Sequence, residues 1–435
     1  MGTVTDLEQT NGSPAHMSGK PSGKKPDKLR EGNGVLRRLL AILRQEGGMG
    51  MYDRIRYPKP FWRRPALPSP IRGPVRIRGG EADERQQVER ALRDFGIAIA
   101  PDDAPGAAEV IHLGPDWPDI AHVTDKDILA GTEPPDLDRM TALAGRCRVV
   151  LTTCASGISA LADRGIALER IFFLKDRQRL HEGMTRCLLA LQHGSAPASS
   201  WHHFSDLQNL PGRPRICVGL PETAGRRQSF LSRGLKNFIL FDGIRRNPGW
   251  IGTGESFRMM AQACLDQGLD RALFTEDDVE LPLDFEDRLT RIQAYLDSCD
   301  WDVFSGLITD IGPDYAVTRV VRRNGETFVH LNRCVGMVFG LYNRNALLRL
   351  ASWSSASGLT IDRYLEKTGS LEVVTTLPFL AGHDDRLRSS IWRFSNRRYS
   401  RMIRGSEEKL RLMVRAHEDR QMNPKAVPGR NITKA

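Results

Sequence analysis

The stretch RALFTEDDVELPLDF (271–285) decides the fold prediction for this chain. Its apolar residues Ala272–Thr275 predict a buried strand, which ends on three consecutive carboxylates, Glu276, Asp277 and Asp278. Mg²⁺ and Mn²⁺ bind one or two protein carboxylates and fill their other positions with diphosphate oxygens and water. Acidic triplets also cap helices and occupy turns, so the interpretation depends on the surrounding sequence.

Two further strands precede this acidic turn. ICVGL (216–220) predicts a strand that leads through a short turn to Arg226, Arg227 and a helix, and NFILFDGI (237–244) predicts a second strand. Ligands of open α/β sheets bind at the carboxyl ends of the strands, where a guanidinium suits a diphosphate. An arginine pair also occurs as a solvated basic helix start. The acidic turn follows the arginines after one βα crossover and a further helix running to about residue 267.

Three segments in this order, GLPETAGRRQSF, IGTGESFRMM and LFTEDDVEL, resemble glycosyltransferase family 25, the lipopolysaccharide and collagen-type glycosyltransferases. The resemblance covers roughly residues 214–395 and implies a GT-A domain. It also implies metal-assisted transfer of a sugar from a nucleotide-sugar donor, with Mn²⁺ or Mg²⁺ as the ion. The chain departs from the family at Glu255-Ser256-Phe257, where Ser-His is common.

The resemblance implies that Arg226 and Arg227 contact the sugar nucleotide. It implies that Asp278 holds the cation, with Asp277 or Glu276 assisting. If the strand continued through Asp277 and Asp278, their side chains would point to opposite faces. We therefore expect one aspartate, Asp278 first, to bind the metal and the other to reach ribose or sugar hydroxyls.

Two downstream segments add candidate residues. TIDRYLEK (360–367) places Asp362 near a helix start, where it is either the general base that deprotonates the acceptor hydroxyl or a first-turn acid favoured by the helix dipole. LPFLAGHDDRLRSSIW (377–392) resembles the family's closing segment. In it His383 or Asp384 is a candidate metal ligand or phosphate contact, although loop histidines are commonly solvated.

Residues 74–194 predict a smaller, Rossmann-like α/β domain. Strands are expected at 74–79, 97–100, 110–114, 148–153 and 171–174, and helices at 82–94, 135–145, 155–164 and 179–192. The turn in LTTCASGISALADRGI (151–166) resembles that of half a GT-B glycosyltransferase, which implies a binding or accessory role. The Ser, Pro, Gly and Asn content of 195–213 predicts a linker, and 396–435 is a charged tail.

The basic charge belongs to a leader. Residues 1–79, which are the leader (1–73) and the first predicted strand, hold 16 Lys+Arg and 6 Asp+Glu. The remainder of the chain holds 47 charged residues of each sign (63 − 16 and 53 − 6). A neutral body predicts no nucleic-acid partner. Leu and Arg in 35–45 form a basic amphipathic pattern, and aromatics follow by residue 64. This segment, 35–64, suits an anionic membrane surface or packs as a helix on protein.

The patterns predict an α/β fold, and the resemblance implies a hexosyltransferase acting on a saccharide or glycolipid acceptor in surface polysaccharide or lipopolysaccharide biosynthesis. Two alternatives stay open: a non-catalytic saccharide-binding scaffold that keeps the fold, and a sugar nucleotidyltransferase. Seven scattered cysteines without C-x-x-C pairs favour a reduced, cytoplasmic protein. The leader would then hold it peripherally at the inner membrane face.

Overall fold

The computed structural model describes most of the chain from residue 70 to residue 422. The described ranges are 70–103, 109–114, 118–131, 136–191, 196–233, 235, 237–246, 248–368, 371–387 and 396–422. Residues 1–69 of the predicted leader, with its membrane-docking segment, and the last residues of the tail lie outside them. No helix in these ranges is long and apolar enough to cross a membrane.

The first sheet is parallel, with its five strands side by side in chain order. They are β1 (Val75–Gly79), β2 (Glu109–Leu113), β3 (Ile128–Gly131), β4 (Val149–Thr152) and β5 (Ile171–Phe173). Its helices are α1 (Ala82–Asp94), α2 (Leu137–Arg146), α3 (Ala155–Asp163) and α4 (Leu180–Leu191). Helices α1 and α4 contribute to one apolar core, and α2 and α3 to another. The sheet is therefore covered on both faces, as the sequence predicted for an α/β fold.

Two details of this first sheet differ from the prediction. The expected strand 97–100 makes only a parallel bridge from Ile99 to Val75, and β3 was not predicted.

In the turn after β4, the Cys154 sulfur accepts a hydrogen bond from the Gly157 backbone N–H at 3.2 Å. This turn therefore caps α3, which is a structural role.

The second sheet is mixed, and its eight strands are β6 (Arg215–Gly219), β7 (Ile239–Asp242), β8 (Arg271–Glu276), β10 (Val303–Ser305), β11 (Val317–Arg323), β12 (Glu326–Leu331), β13 (Phe339–Asn343) and β14 (Val373–Thr376). Their order across the sheet is β11-β12-β14-β10-β13-β8-β6-β7. Strands β9 (Val279–Glu280) and β15 (Gly382–His383) form a separate antiparallel pair. The associated helices are α5 (Ala224–Leu231), α6 (Gly249–Asp266), α7 (Phe285–Leu296), α8 (Arg344–Ala351), α9 (Ile361–Lys367) and α10 (Arg397–Met422).

The hairpin of β11 and β12 confirms a turn prediction. Asn324 and Gly325 connect the strands with φ of 52° and 79°. Both residues are left-handed, as a two-residue type I′ hairpin turn requires. The expected strands 301–310 and 335–344 are much shorter, because only Val303–Ser305 and Phe339–Asn343 enter the ladder.

The segments read as linker and tail are packed against the second sheet. The stretch 196–213 contains two 3₁₀ turns, and its Trp201, Phe204 and Leu207 are buried in the same core as that sheet. Helix α10 buries Leu410 and Val414 in this core too. Composition did not reveal this packing, since a few apolar side chains at the right spacing suffice to dock a polar segment.

The atypical helix start in α6 has a structural explanation. Glu255 is fully buried and receives a hydrogen bond from Arg246 Nε at 2.7 Å and one from the Ala196 backbone N–H at 3.0 Å. The Ser256 hydroxyl accepts a hydrogen bond from the Ile244 backbone N–H at 2.8 Å. These residues therefore join α6 to the segment after β7 and to residue 196.

Gly252 in α6 allows a close approach of the chain after β7. A Cβ there would lie 2.3 Å from the Ile244 carbonyl oxygen and 2.9 Å from the Arg246 backbone nitrogen. Because both atoms are backbone, we expect Gly252→Ala to lower the free energy of unfolding in urea by about 1–3 kcal/mol. Gly405→Ala, in open space within α10, should instead be neutral or stabilising. Equal midpoints for the two variants would contradict this account.

Candidate functional site

Three parallel strands end at one edge of the second sheet. Strand β6 pairs in parallel with both β7 and β8, so the segments after these strands lie side by side. Helix α5 follows β6 with Arg226 and Arg227, and the acidic turn follows β8. This edge is where ligands of open α/β sheets bind.

Arg226 joins both aspartates of the acidic turn. Its Nε donates to Asp277 Oδ1 at 2.8 Å, and its Nη2 lies 3.0 Å from Asp278 Oδ2. The opposite-face geometry was expected only for a strand that continues through both aspartates, and this condition is not met. Strand β8 ends at Glu276, and Asp277 and Asp278 form a turn, to which strand alternation does not apply.

The last residue of β6 makes room for this arrangement. A Cβ at Gly219 would lie 2.3 Å from Asp277 Oδ2. Glycine there lets the Asp277 carboxylate rest against the backbone of the neighbouring strand. Gly219 was not among the predicted site residues, although its place at the end of a parallel strand was a usable signal.

His383 lies beside the acidic turn because β15 pairs with β9, directly after that turn. Its Nδ1 is 3.5 Å from Asp278 Oδ2, and its ring stacks on Tyr399 of α10 with centroids 5.0 Å apart. Asn396 donates from Nδ2 to Asp278 Oδ2 at 2.9 Å. The structure thus brings the predicted His383 to Asp278 and adds two residues of the tail to the site.

The three acids differ in their electrostatics. Burial, with the Asp278 charge, raises the pKa of Glu276 to about 8. Burial also raises the pKa of Asp277 to about 6, against the lowering effect of Arg226. Burial acts on Asp278 too, but Arg226, His383 and Asn396 outweigh it and lower its pKa. Asp278 is therefore the acid best held as a carboxylate.

Several buried polar atoms here lack a hydrogen-bond partner among the described residues. They are Asp277 Oδ2, Asp278 Oδ1, His383 Nδ1 and Asn396 Oδ1. An unpartnered buried carboxylate oxygen is costly, and a bound cation is one way to satisfy it. Carboxylate oxygens are the ligands that Mg²⁺ and Mn²⁺ prefer, so these residues fit such an ion.

Arg227 lies on the β7 side of the edge, where its Nη2 is 2.5 Å from Asp242 Oδ1. Lys175, after β5 of the first sheet, has its Nζ 3.8 Å from the same oxygen and 2.8 Å from Asp206 Oδ2. The smaller α/β unit therefore places a cation beside Arg227. Sequence reasoning missed this contact, because it joins residues of different sheets.

The remaining candidates are placed less directly. Asp362 is partly buried in the first turn of α9, where its carboxylate accepts from the Arg363 backbone N–H at 2.9 Å. It is close enough to Glu276 to contribute to the raised pKa of that acid. Asp384 receives hydrogen bonds from Arg386 Nε at 2.9 Å and from Ser229 at 3.2 Å, so arginine and hydroxyl groups occupy its carboxylate.

Comparisons with known proteins do not identify the function of this site. No family model matches the chain, and no curated protein matches it. Among solved structures, the crystal structure of A197 from STIV is similar over 39% of this chain and 85% of that chain. The identity is 18% and the TM-score 0.26, a likeness too small to support an argument.

Proposed function

We propose that this chain is a glycosyltransferase with a GT-A-type nucleotide-sugar-binding domain in its C-terminal half. One observation carries the proposal. Asp277 and Asp278 follow a parallel strand and are buried, with exposed fractions of 3% and 2%. Each keeps one carboxylate oxygen without a hydrogen-bond partner among the described residues. Such an acidic site at the ligand-binding edge of an α/β sheet fits a metal–diphosphate complex.

Asp278 would hold Mn²⁺ or Mg²⁺, with Asp277 and His383 as further candidate ligands. The ion would neutralise charge that develops on the departing nucleoside diphosphate. Arg227 and Lys175 supply positive charge on the β7 side, where their shared partner is Asp242. Arg226 has a structural role as well, because its guanidinium contacts both aspartates independently of a nucleotide-sugar donor.

For an inverting transfer, Asp362 is the candidate base. The acceptor hydroxyl oxygen would form a bond to the anomeric carbon while the bond from that carbon to the diphosphate oxygen breaks. The hydroxyl proton would pass to the Asp362 carboxylate. The acceptor that we propose is a saccharide or glycolipid of surface polysaccharide or lipopolysaccharide biosynthesis.

Arg226 also supports a second candidate function. A guanidinium that bridges Asp277 and Asp278 already supplies positive charge where a metal would supply it. A non-catalytic saccharide-binding scaffold with this fold would have no need of the ion. Nucleotide binding that ignores metal, without turnover, would favour this function.

Calorimetric titration with UDP-, GDP- and CMP-sugars tests the proposal, with Mn²⁺ and with EDTA. We expect one nucleotide class to bind in Mn²⁺ and to lose at least about tenfold in affinity in EDTA, or ~1.4 kcal/mol. Arg227→Ala should weaken that binding, while Arg213→Ala, an exposed arginine on the amino side of β6, should not. Absence of binding to every sugar nucleotide by folded protein would refute the proposal.

A further inference from the structure

Two histidines and an aspartate meet where the connecting segment packs against the first α/β unit, away from the acidic turn. Asp94 ends α1, His181 lies in the first turn of α4, and His203 ends the 3₁₀ turn Ala198–His203. One ligand atom from each residue lies within 4.8 Å of the other two. From this geometry we propose that Asp94, His181 and His203 form a divalent transition-metal site, with zinc as the preferred ion.

Both imidazoles face the same carboxylate oxygen. His181 Nε2 is 2.9 Å from Asp94 Oδ2, and His203 Nδ1 is 3.4 Å from it. The second distance is long for a nitrogen–oxygen hydrogen bond. Ligands ~2.0–2.1 Å from a tetrahedral zinc ion are separated by about 3.3–3.4 Å, which matches the distance from His203 to Asp94. The distance from His181 to Asp94 is that of a hydrogen bond, which would lengthen by about 0.4 Å around a bound ion.

The ligand types select the class of ion. Two imidazole nitrogens and one carboxylate oxygen suit zinc and neighbouring transition metals, whereas Mg²⁺ and Ca²⁺ prefer oxygen ligands throughout. Asp94 is exposed, so an ion has access from solvent.

Neighbouring contacts hold two of the three ligands in place. The His181 backbone N–H donates to Gln87 Oε1 of α1 at 3.2 Å, and the Ser205 N–H, just after His203, donates to Glu182 Oε1 at 3.1 Å. The site is thus supported before any ion arrives, which lowers the ordering cost of binding.

Metal binding there would connect the two α/β units. Asp94 and His181 belong to helices on the first sheet, whereas His203 precedes Phe204, which packs edge-on against Phe241 of β7 with centroids 5.5 Å apart. Trp201 Nε1 also donates to Asp266 Oδ2 of α6 at 2.8 Å. A metal at this position would fasten the connecting segment to the first unit and stabilise the folded chain.

Zinc titration of chelator-treated protein, in saturating Mg²⁺ to occupy the acidic turn, tests the site. We expect the double variant His181→Gln/His203→Gln to bind one zinc ion fewer per chain. Zinc should raise the Tm of the original chain but not the Tm of this variant. His202→Gln is the matched control, since His202 is exposed, adjacent in sequence and stacked on Trp201 instead. It should bind zinc like the original chain.

Cobalt provides a second measurement. Co²⁺ in a four-coordinate histidine site gives visible d–d absorption, which Asp94→Asn should weaken and the double variant should abolish. Asp94→Asn changes an exposed side chain to one of nearly equal size, so its fold should persist. Equal zinc stoichiometry in the original chain and the folded double variant would overturn the proposal, as would unchanged cobalt spectra.

Discussion

Asp278→Asn should reduce sugar transfer by about 10²–10³-fold while the protein remains folded. Removing one preorganised electrostatic group from a transferase site costs roughly this factor in rate, or ~3–4 kcal/mol. Asp278 is the acid with the lowered pKa, and its Oδ1 has no partner among the described residues. The amide keeps the size of the side chain but loses the negative charge and one ligand oxygen, so Mn²⁺ affinity should fall together with turnover.

Asp287→Asn is the control for this substitution. Asp287 is exposed in the first turn of α7, on the same unit but outside the acidic turn. Its replacement should leave transfer and Mn²⁺ binding unchanged, while circular dichroism reports the fold of both variants. If Asp278→Asn retained full turnover with folded protein, the metal role of the turn would be refuted.

The acidic turn shows how far sequence reasoning reached at this site. The strand before Glu276, the arginines after β6 and the shared sheet edge all follow from local patterns, because a period of two and a polar strand end are visible in a few residues. The orientation of Asp277 and Asp278 does not follow from local patterns, since it depends on the residue at which β8 leaves the ladder.

The tail shows what local patterns leave out. Asn396 reaches Asp278 across 118 residues, and Tyr399 stacks on His383 from the same helix. Neither residue belongs to a motif, and helix α10 is polar along most of its length. Its packing depends on a few apolar residues such as Leu410, so tertiary contacts decide its place.

A buried ion pair between the two α/β units was likewise invisible in sequence. Arg186 of α4 donates from Nη1 and Nη2 to the two Glu222 oxygens at 3.1 and 3.2 Å, and it also donates to the Gly243 carbonyl oxygen at 3.1 Å. The Phe173 N–H donates to Glu222 at 2.9 Å. Glu222 lies in the turn before Arg226, and Gly243 follows β7. The pair therefore connects the first unit to two of the turns at the candidate site.

Glu222→Gln should lower the free energy of unfolding by about 3–5 kcal/mol, because it leaves the Arg186 charge buried without its counter-ion. Glu286→Gln is the matched control, since Glu286 pairs with Arg215 but its side chain is 53% exposed, and it should cost at most about 1 kcal/mol. Urea unfolding of both variants measures the difference. Similar losses in the two variants would contradict a special role for the buried pair.

The pH dependence provides an independent measurement of the same pair. Burial alone would raise the pKa of Glu222, but Arg186, with Arg245, outweighs it and lowers the pKa from 4.5 to about 2. A lowered carboxyl pKa contributes stability that is present above pH 4.5 and is lost as the pH falls towards 2. Between these values the original chain should lose more stability than Glu222→Gln, which has no carboxyl to protonate. Parallel stability curves for the two proteins would show that Arg186 does not hold Glu222 in solution. The first unit would then lack this ion pair to the turn that precedes Arg226.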